Sequence, residues 1–268
     1  MNRSSEASAR LLSCQGLTMH FGGLAALDSL NLDVLKGEVL GLVGPNGSGK
    51  TTFFNVITGI YSPTEGAVRF NGQELQGLGP QKINRCGIAR TFQRSRLCLE
   101  LTIFDNLMIG DHNRLDHGLI GNIFLRRKFQ RDLESHVERS RQLLKTFSGR
   151  LADNLFARVS SFPMIDRRRI EICRALIGGP RLLLLDEPSA GMTHEETRQL
   201  MDDILEVAGR EQNITIIIIE HEMNVIKRIT DRCVVLNFGR KIFEGTYDEM
   251  TRHADVQAAY LGGKEVAA

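Results

Sequence analysis

Residues 38–60 read EVLGLVGPNGSGKTTFFNVITGI, and the fold turns on how these 23 positions divide. Residues 38–44 form a near-continuous apolar run, the pattern of a strand buried on both faces. Beyond Lys50, Phe53, Val56, Ile57 and Ile60 fall at i, i+3, i+4 and i+7, the period of an amphipathic helix. Between strand and helix, GPNGSGKTT (44–52) matches GxxxxGK[ST], a glycine-rich loop that holds phosphate when a strand precedes it and a helix follows. Gly44, Gly47 and Gly49 let the backbone curl until successive N–H groups face an anion at the positive end of the new helix. The loop Gly44, Pro45, Asn46, Gly47, Ser48, Gly49, Lys50, Thr51 and Thr52 is therefore the candidate nucleotide cradle. Lys50 is placed to reach the β- and γ-phosphates, and the Thr51 hydroxyl to ligate Mg²⁺.

Working outward, RLLLLD (181–186) and ITIIIIE (214–220) repeat the doubly buried strand pattern and predict a parallel sheet covered by helices. SLNLDV (29–34) and AVRFNGQ (67–73) instead alternate apolar and polar residues, the second ending in an Asn71-Gly72 turn pair. CVVLNFGRKIFEG (233–245) reads as a closing hairpin. From about 95 to 178 no strand is expected, and RRKFQRDLESHVERSRQLLKTF (126–147) reads as a long helix whose charges are a solvated face. Thr102 with Asp105, Thr193 with Glu196 and Thr246 with Glu249 have capping-box spacing and mark three helix starts.

RLLLLDEP supplies the second half of the chemistry. A buried strand that ends in Asp186 delivers a carboxylate beside a phosphate-bound metal. Glu187, one residue on, can polarise an attacking water as general base. Composition sets the frame. The 268 residues carry 34 Lys and Arg against 32 Asp and Glu, a net charge of +2 that gives no reason to expect nucleic acid. The longest apolar runs fall well short of the roughly 18–20 residues that span a bilayer. The opening MNRSSEASARLL has no apolar core of a signal peptide, so a cytoplasmic chain is expected. Cys14, Cys86, Cys98, Cys173 and Cys233 show no CxxC spacing and are expected to be buried, reduced thiols.

These motifs together resemble the ATP-binding subunit of an ABC transporter over about residues 11–263, with 1–10 and 264–268 expected to be flexible tails. The resemblance implies an α/β fold: a P-loop NTPase core with a mixed sheet, an antiparallel β subdomain and a helical subdomain inserted at about 95–178. It also implies ATP and Mg²⁺ as ligands. By the same resemblance Phe21 is the aromatic that stacks on adenine. Gln93, in RTFQRS, is a metal and water ligand that senses the membrane subunit, and His221, ending IIIIEH, contacts the γ-phosphate. Asp186, Thr51 and Gln93 would hold the metal, with Glu187, His221 and Gln93 as the catalytic set. SAGMTHEE (189–196) resembles the D-loop, with Thr193 where an Asp is usual.

Within that superfamily, HFGGLAALDSLNL, the long insertion, RRRIEICRAL, EPSAGM and the terminal AYLG resemble the larger ATPase subunit of branched-chain amino acid importers and their amide and urea relatives. One motif departs. Counting back from RRRIEICRAL, Phe162, Pro163, Met164, Ile165 and Asp166 stand where the family carries LSGGQ, whose Ser hydroxyl and glycine N–H groups bind the γ-phosphate held by the opposing subunit. Pro163 removes a hydroxyl and an N–H. Met164 and Ile165 add side chains, and Asp166 adds charge. The expectation is a cytoplasmic, membrane-peripheral ATPase forming half of an asymmetric heterodimer with a second ABC ATPase. Two permease subunits and, indirectly, a periplasmic solute-binding protein complete the assembly. A hydrolysis-deficient regulatory subunit and a soluble ABC ATPase are the alternatives.

Overall fold

The computed structural model describes residues 10–93, 96–112, 126–210 and 214–261, with the side chains of 126–129, 210 and 261 outside the description. The expected tails at 1–9 and 264–268 and part of the long insertion lie outside the described residues; Arg10, expected in a tail, opens the first strand. The chain divides into two compact units, one of residues 1–90, 181–188 and 208–268, the other of 91–180 and 189–207.

The first unit holds ten strands among its described residues: β1 (Arg10–Phe21), β2 (Leu24–Leu35), β3 (Val39–Val43), β4 (Glu65–Phe70), β5 (Gln73–Glu74), β6 (Ile88–Arg90), β7 (Leu182–Asp186), β8 (Thr215–Ile219), β9 (Arg232–Asn237) and β10 (Arg240–Gly245). They form an antiparallel sheet, β2-β1-β4-β5, and a mixed sheet, β10-β9-β3-β8-β7-β6. In the mixed sheet only the β10–β9 pair is antiparallel, which closes the expected hairpin. Every residue of β3, β7 and β8 is buried, as their unbroken apolar runs require. β2 and β4 alternate, because one face meets the core. Asn71 and Gly72 both have positive φ, 48° and 82°, in the turn between β4 and β5.

The helix Lys50–Ile57 packs between the two sheets. Its Phe53, Phe54 and Ile57 join Leu12, Leu17, Leu30 and Leu32 of the antiparallel sheet and Leu40, Leu184 and Ile217 of the mixed sheet in one core cluster. Burying each such aliphatic or aromatic side chain contributes about 1.5–3 kcal/mol. The phosphate-loop candidate thus leads into a helix whose Phe53, Phe54, Val56 and Ile57 are locked in the core.

The second unit is built from helices, chiefly Ile103–Gly110, Arg126–Phe147, Gly149–Asp153 and Met164–Leu176. Thr102 caps the first through a reciprocal bond with Asp105, and Thr246 with Glu249 does the same in the first unit. Thr193 accepts from the Glu196 N–H at 3.3 Å, while Glu196 accepts from the Thr193 N–H at 3.0 Å. Where helices 103–110 and 164–176 cross, a Cβ on Gly110 would lie 2.1 Å from the Arg174 carbonyl, so only glycine allows that approach.

The cysteines divide. Cys14, Cys173 and Cys233 are buried and free, but Cys86 is half-buried and Cys98 exposed. Cys98 follows the apolar Leu97 in a loop, without the periodic burial a strand or helix would impose.

Candidate functional site

β3 ends at Val43, and the chain then turns through Gly44, Gly47 and Gly49 at φ of 145°, 78° and 105°. A Cβ on Gly44 would sit 2.1 Å from the Leu236 carbonyl and 2.8 Å from Ser48 Oγ; one on Gly49 would sit 2.5 Å from the Ala26 carbonyl. Gly49 caps the helix Lys50–Ile57 in a left-handed conformation, with no side chain bonding to the first-turn amides and no acidic residue among them. That leaves backbone N–H groups and the positive helix end directed at whatever lies beyond the loop. The phenol of Tyr260, from the helix Ala254–Leu261, hydrogen-bonds to the Gly44 backbone; burial raises that phenol's pKa.

Lys50 is buried, and its ammonium donates to the Gly44 carbonyl at 2.7 Å, the Pro45 carbonyl at 2.9 Å and Ser48 Oγ at 3.4 Å. Burial lowers its pKa, while Glu187 and Asp186 pull in the opposite direction. Thr51, one residue on, is exposed. Asp186 is buried at the carboxyl end of β7, where Arg90 Nη2 donates to its Oδ2 at 2.6 Å.

Glu187 leaves β7 with φ of 48°, a left-handed conformation rare for a non-glycine residue. Its N–H is fixed by the Ile219 carbonyl of β8 at 2.9 Å, and its Oε1 lies 2.8 Å from His221 Nε2. β7 and β8 are parallel neighbours with Asp186 opposite Ile219, so the ends of adjacent strands present Glu187 and His221 together. A cleft takes in Asn46, Gly47, Ser48, Gly49, Lys50, Thr51, Thr52, Glu187 and His221. Leu24, Ala25, Ala26 and the exposed Phe238 complete its wall. The structure thus gathers loop, lysine, base candidate and histidine, widely separated in sequence, around one opening. A buried carboxylate, an exposed hydroxyl and a loop that excludes side chains by contact suit a nucleotide polyphosphate with a hard divalent cation.

Phe21 stands outside that wall: it is exposed, and meets the edge of Tyr61 with ring centroids 5.2 Å apart. Gln93 belongs to the other unit, where it is exposed. Phe162, Ile165 and Asp166 turn inward in that unit and are buried, while Pro163 and Met164 face outward. Pro163 is the N-cap of the helix Met164–Leu176 rather than its first helical residue. The Asp166 carboxylate lies 3.2 Å from Arg169 Nη1 and 4.0 Å from Arg150 Nη1, so its charge is met within the unit. Arg168 pairs with Glu171 at 2.7 Å, and Arg169 also reaches Asp203 at 2.7 Å. The Met164 methyl fills the space over Gly191, 3.1 Å from where a Cβ would stand.

Sequence reasoning missed Arg90, Asn55, Phe238 and Tyr260. Arg90 sits three residues before Gln93 in ARTFQ, but nothing in a linear pattern ties it to a carboxylate 96 positions away.

Loop, strand ends and mixed sheet define a nucleotide-binding cassette. The ABC transporter family profile matches residues 27–190, and that of the branched-chain amino acid ATP-binding cassette transporter matches 240–266. The chain belongs to the ABC transporter family, whose ATP-binding proteins are ATPases coupled to transport. It is 39% identical over 255 residues to the high-affinity branched-chain amino acid transport ATP-binding protein LivG of Escherichia coli, covering 95% of this chain and 99% of the relative. It is equally similar, over the same shares, to BraF of Pseudomonas aeruginosa, of the same description. Among solved structures, a nucleotide-free ATP-binding cassette from an ABC transporter matches with a TM-score of 0.80 and 29% identity, covering 94% of this chain and 98% of that one. The ADP conformation of an ATP-binding cassette matches with a TM-score of 0.80 and 28% identity, over 94% and 99%.

Proposed function

We propose that this chain binds and hydrolyses ATP to power a membrane importer for branched-chain amino acids or related polar amides. The observation that carries the reading is the convergence of the glycine loop, Lys50, Glu187 and His221 on one cleft. The 39%-identical relatives, both ATP-binding proteins of branched-chain amino acid transport, support the solute class.

In this reading the loop Gly44–Thr52 cradles the phosphates through backbone N–H groups, and Lys50 exchanges its carbonyl partners for phosphate oxygens. Phe21 stacks on adenine. Asp186, Thr51 and Gln93 would hold Mg²⁺, which would supply charge neutralisation for the phosphates. Glu187 takes a proton from the attacking water, and His221, hydrogen-bonded to it, fixes its carboxylate and meets the γ-phosphate. The described helices include none long and apolar enough to cross a membrane. In this reading, drawn from the relatives, the chain works as a peripheral subunit on the cytoplasmic face. It couples there to two permease subunits, with a periplasmic binding protein supplying solute.

We further infer that it forms one half of an asymmetric dimer. Pro163 offers no N–H, and the exposed Met164 puts a side chain where a signature motif would carry bare glycine backbone. A second ATPase subunit with an intact signature completes the loop of this chain, while residues 162–166 serve the opposing nucleotide poorly.

Co-expression with the two permeases and a second ATPase subunit tests the reading. Co-purification with ATP turnover that rises on adding solute-loaded binding protein is expected. A chain that binds MgATP yet stays apart from all three would favour a soluble ATPase; a complex without turnover would favour a regulatory subunit.

A further inference from the structure

We propose that Arg90 is a positioning residue that sets the spacing between Asp186 and Thr51, the two groups of the first unit assigned to the metal; this rests on the nucleotide reading above. Arg90 ends β6 and pairs in parallel register with Leu184 of β7. Asp186 lies two residues beyond Leu184, so both side chains leave the sheet on one face. The guanidinium then makes two directed bonds. Nη2 donates to Asp186 Oδ2 at 2.6 Å and Nη1 to Asn55 Oδ1 at 2.7 Å. Its carbon stands 5.2 Å from the Phe54 ring centroid, and the side chains of Arg90 and Asp186 are 5% and 6% exposed.

The identity of the second acceptor gives the fork its meaning. Asn55 follows Thr51 by four residues in the helix Lys50–Ile57, so the two share a face. One rigid, planar group therefore clamps the carboxylate at the end of β7 to the helix face that carries the Thr51 hydroxyl. Lysine supplies a charge but no fork, and cannot hold two acceptors in one plane. A partner bonded to a ligating carboxylate typically changes metal affinity or activity by about 10–100-fold when lost. Arg90 also lies three residues from Gln93 along the chain, so the same short stretch carries the clamp and the third proposed ligand.

The test is ADP binding by calorimetry, titrated with Mg²⁺ and repeated in EDTA, on wild type, Arg90→Lys, Asn55→Ala, Asp186→Asn and the Arg90→Lys/Asp186→Asn double variant. Arg90→Lys is expected to raise the Mg²⁺ concentration for half-maximal enhancement by about 10–100-fold while leaving affinity in EDTA within about twofold. Asn55→Ala, which cuts the other arm without touching buried charge, shifts it in the same direction. In the Asp186→Asn background Arg90→Lys adds nothing, because the arginine acts through that carboxylate. Equal losses with Mg²⁺ and in EDTA would reduce Arg90 to structural support and overturn the proposal, as would an unchanged Mg²⁺ requirement. Wild type that binds ADP without any Mg²⁺ enhancement would overturn the metal assignment and the clamp with it, whereas wild type that binds no ADP at all would overturn the nucleotide reading.

Discussion

His221 Nε2 lies 2.8 Å from Glu187 Oε1, and the two arrive there from the ends of adjacent parallel strands. The glutamate is held by a left-handed backbone at φ 48° and by its N–H bond to Ile219, so the histidine meets a carboxylate whose main chain is already fixed. His221→Ala in the reconstituted transporter is expected to lower turnover by about 10²–10³-fold, the usual cost of one lost transition-state donor. Affinity for MgATP, measured by calorimetry, should change little, since in the proposed reading the phosphates rest mainly on the loop.

The loop glycines differ in what surrounds them, and the difference is measurable. Gly47→Ala meets nothing within 4 Å and carries only the strain of a positive φ, about 1–3 kcal/mol. Gly44→Ala and Gly49→Ala add collisions with the Leu236 and Ala26 carbonyls to that strain. Thermal unfolding should therefore rank Gly47→Ala closest to wild type and the other two well below it.

Lys50 gives a pH signature. Its folded pKa is depressed, first by burial, so between that lowered value and the ordinary lysine value the unfolded chain binds more protons than the folded one. Its contribution to stability consequently rises with pH through that window. Phosphate affinity moves the other way, because the folded lysine loses its charge at a lower pH than an exposed one. Calorimetric MgATP affinity should fall on the alkaline side in wild type, and Lys50→Ala should bind weakly with that limb absent.

Thiol chemistry separates the cysteines. Burial pushes the Cys14 and Cys173 thiols well up from the ordinary range, and raises that of Cys233 as well. Iodoacetamide with peptide mapping should label Cys98 in the native protein and spare Cys14 and Cys173, with all five labelled in guanidinium.

Much of this was legible because neighbouring segments change period abruptly. Val39–Val43 is an unbroken apolar run, and three residues after Lys50 the pattern becomes helical, so the loop between them could have few other meanings. β1 escaped notice since its alternation breaks at a bulge, where the register shifts between Cys14 and Leu17 around Gly16 at φ 58°. β6 is three residues long and has no period to read. In sequence Asp166 is only an added charge at the signature position, yet the helix turns it inward to Arg169 and Arg150; only the phase of the helix, set by where Pro163 caps it, decides that. Arg90 required the fold itself, because its two acceptors lie 35 residues before it and 96 after.

Hydrolysis at the loop of this chain against a partner's signature is tested most sharply by removing Glu187 in the assembled pair. The chain is reconstituted with a second ATPase subunit that carries an intact signature, and ATP turnover is compared for wild type and Glu187→Gln. Loss of the general base should lower turnover by about 10²–10⁴-fold with MgATP still bound. Turnover retained in full by the Glu187→Gln complex would contradict the account.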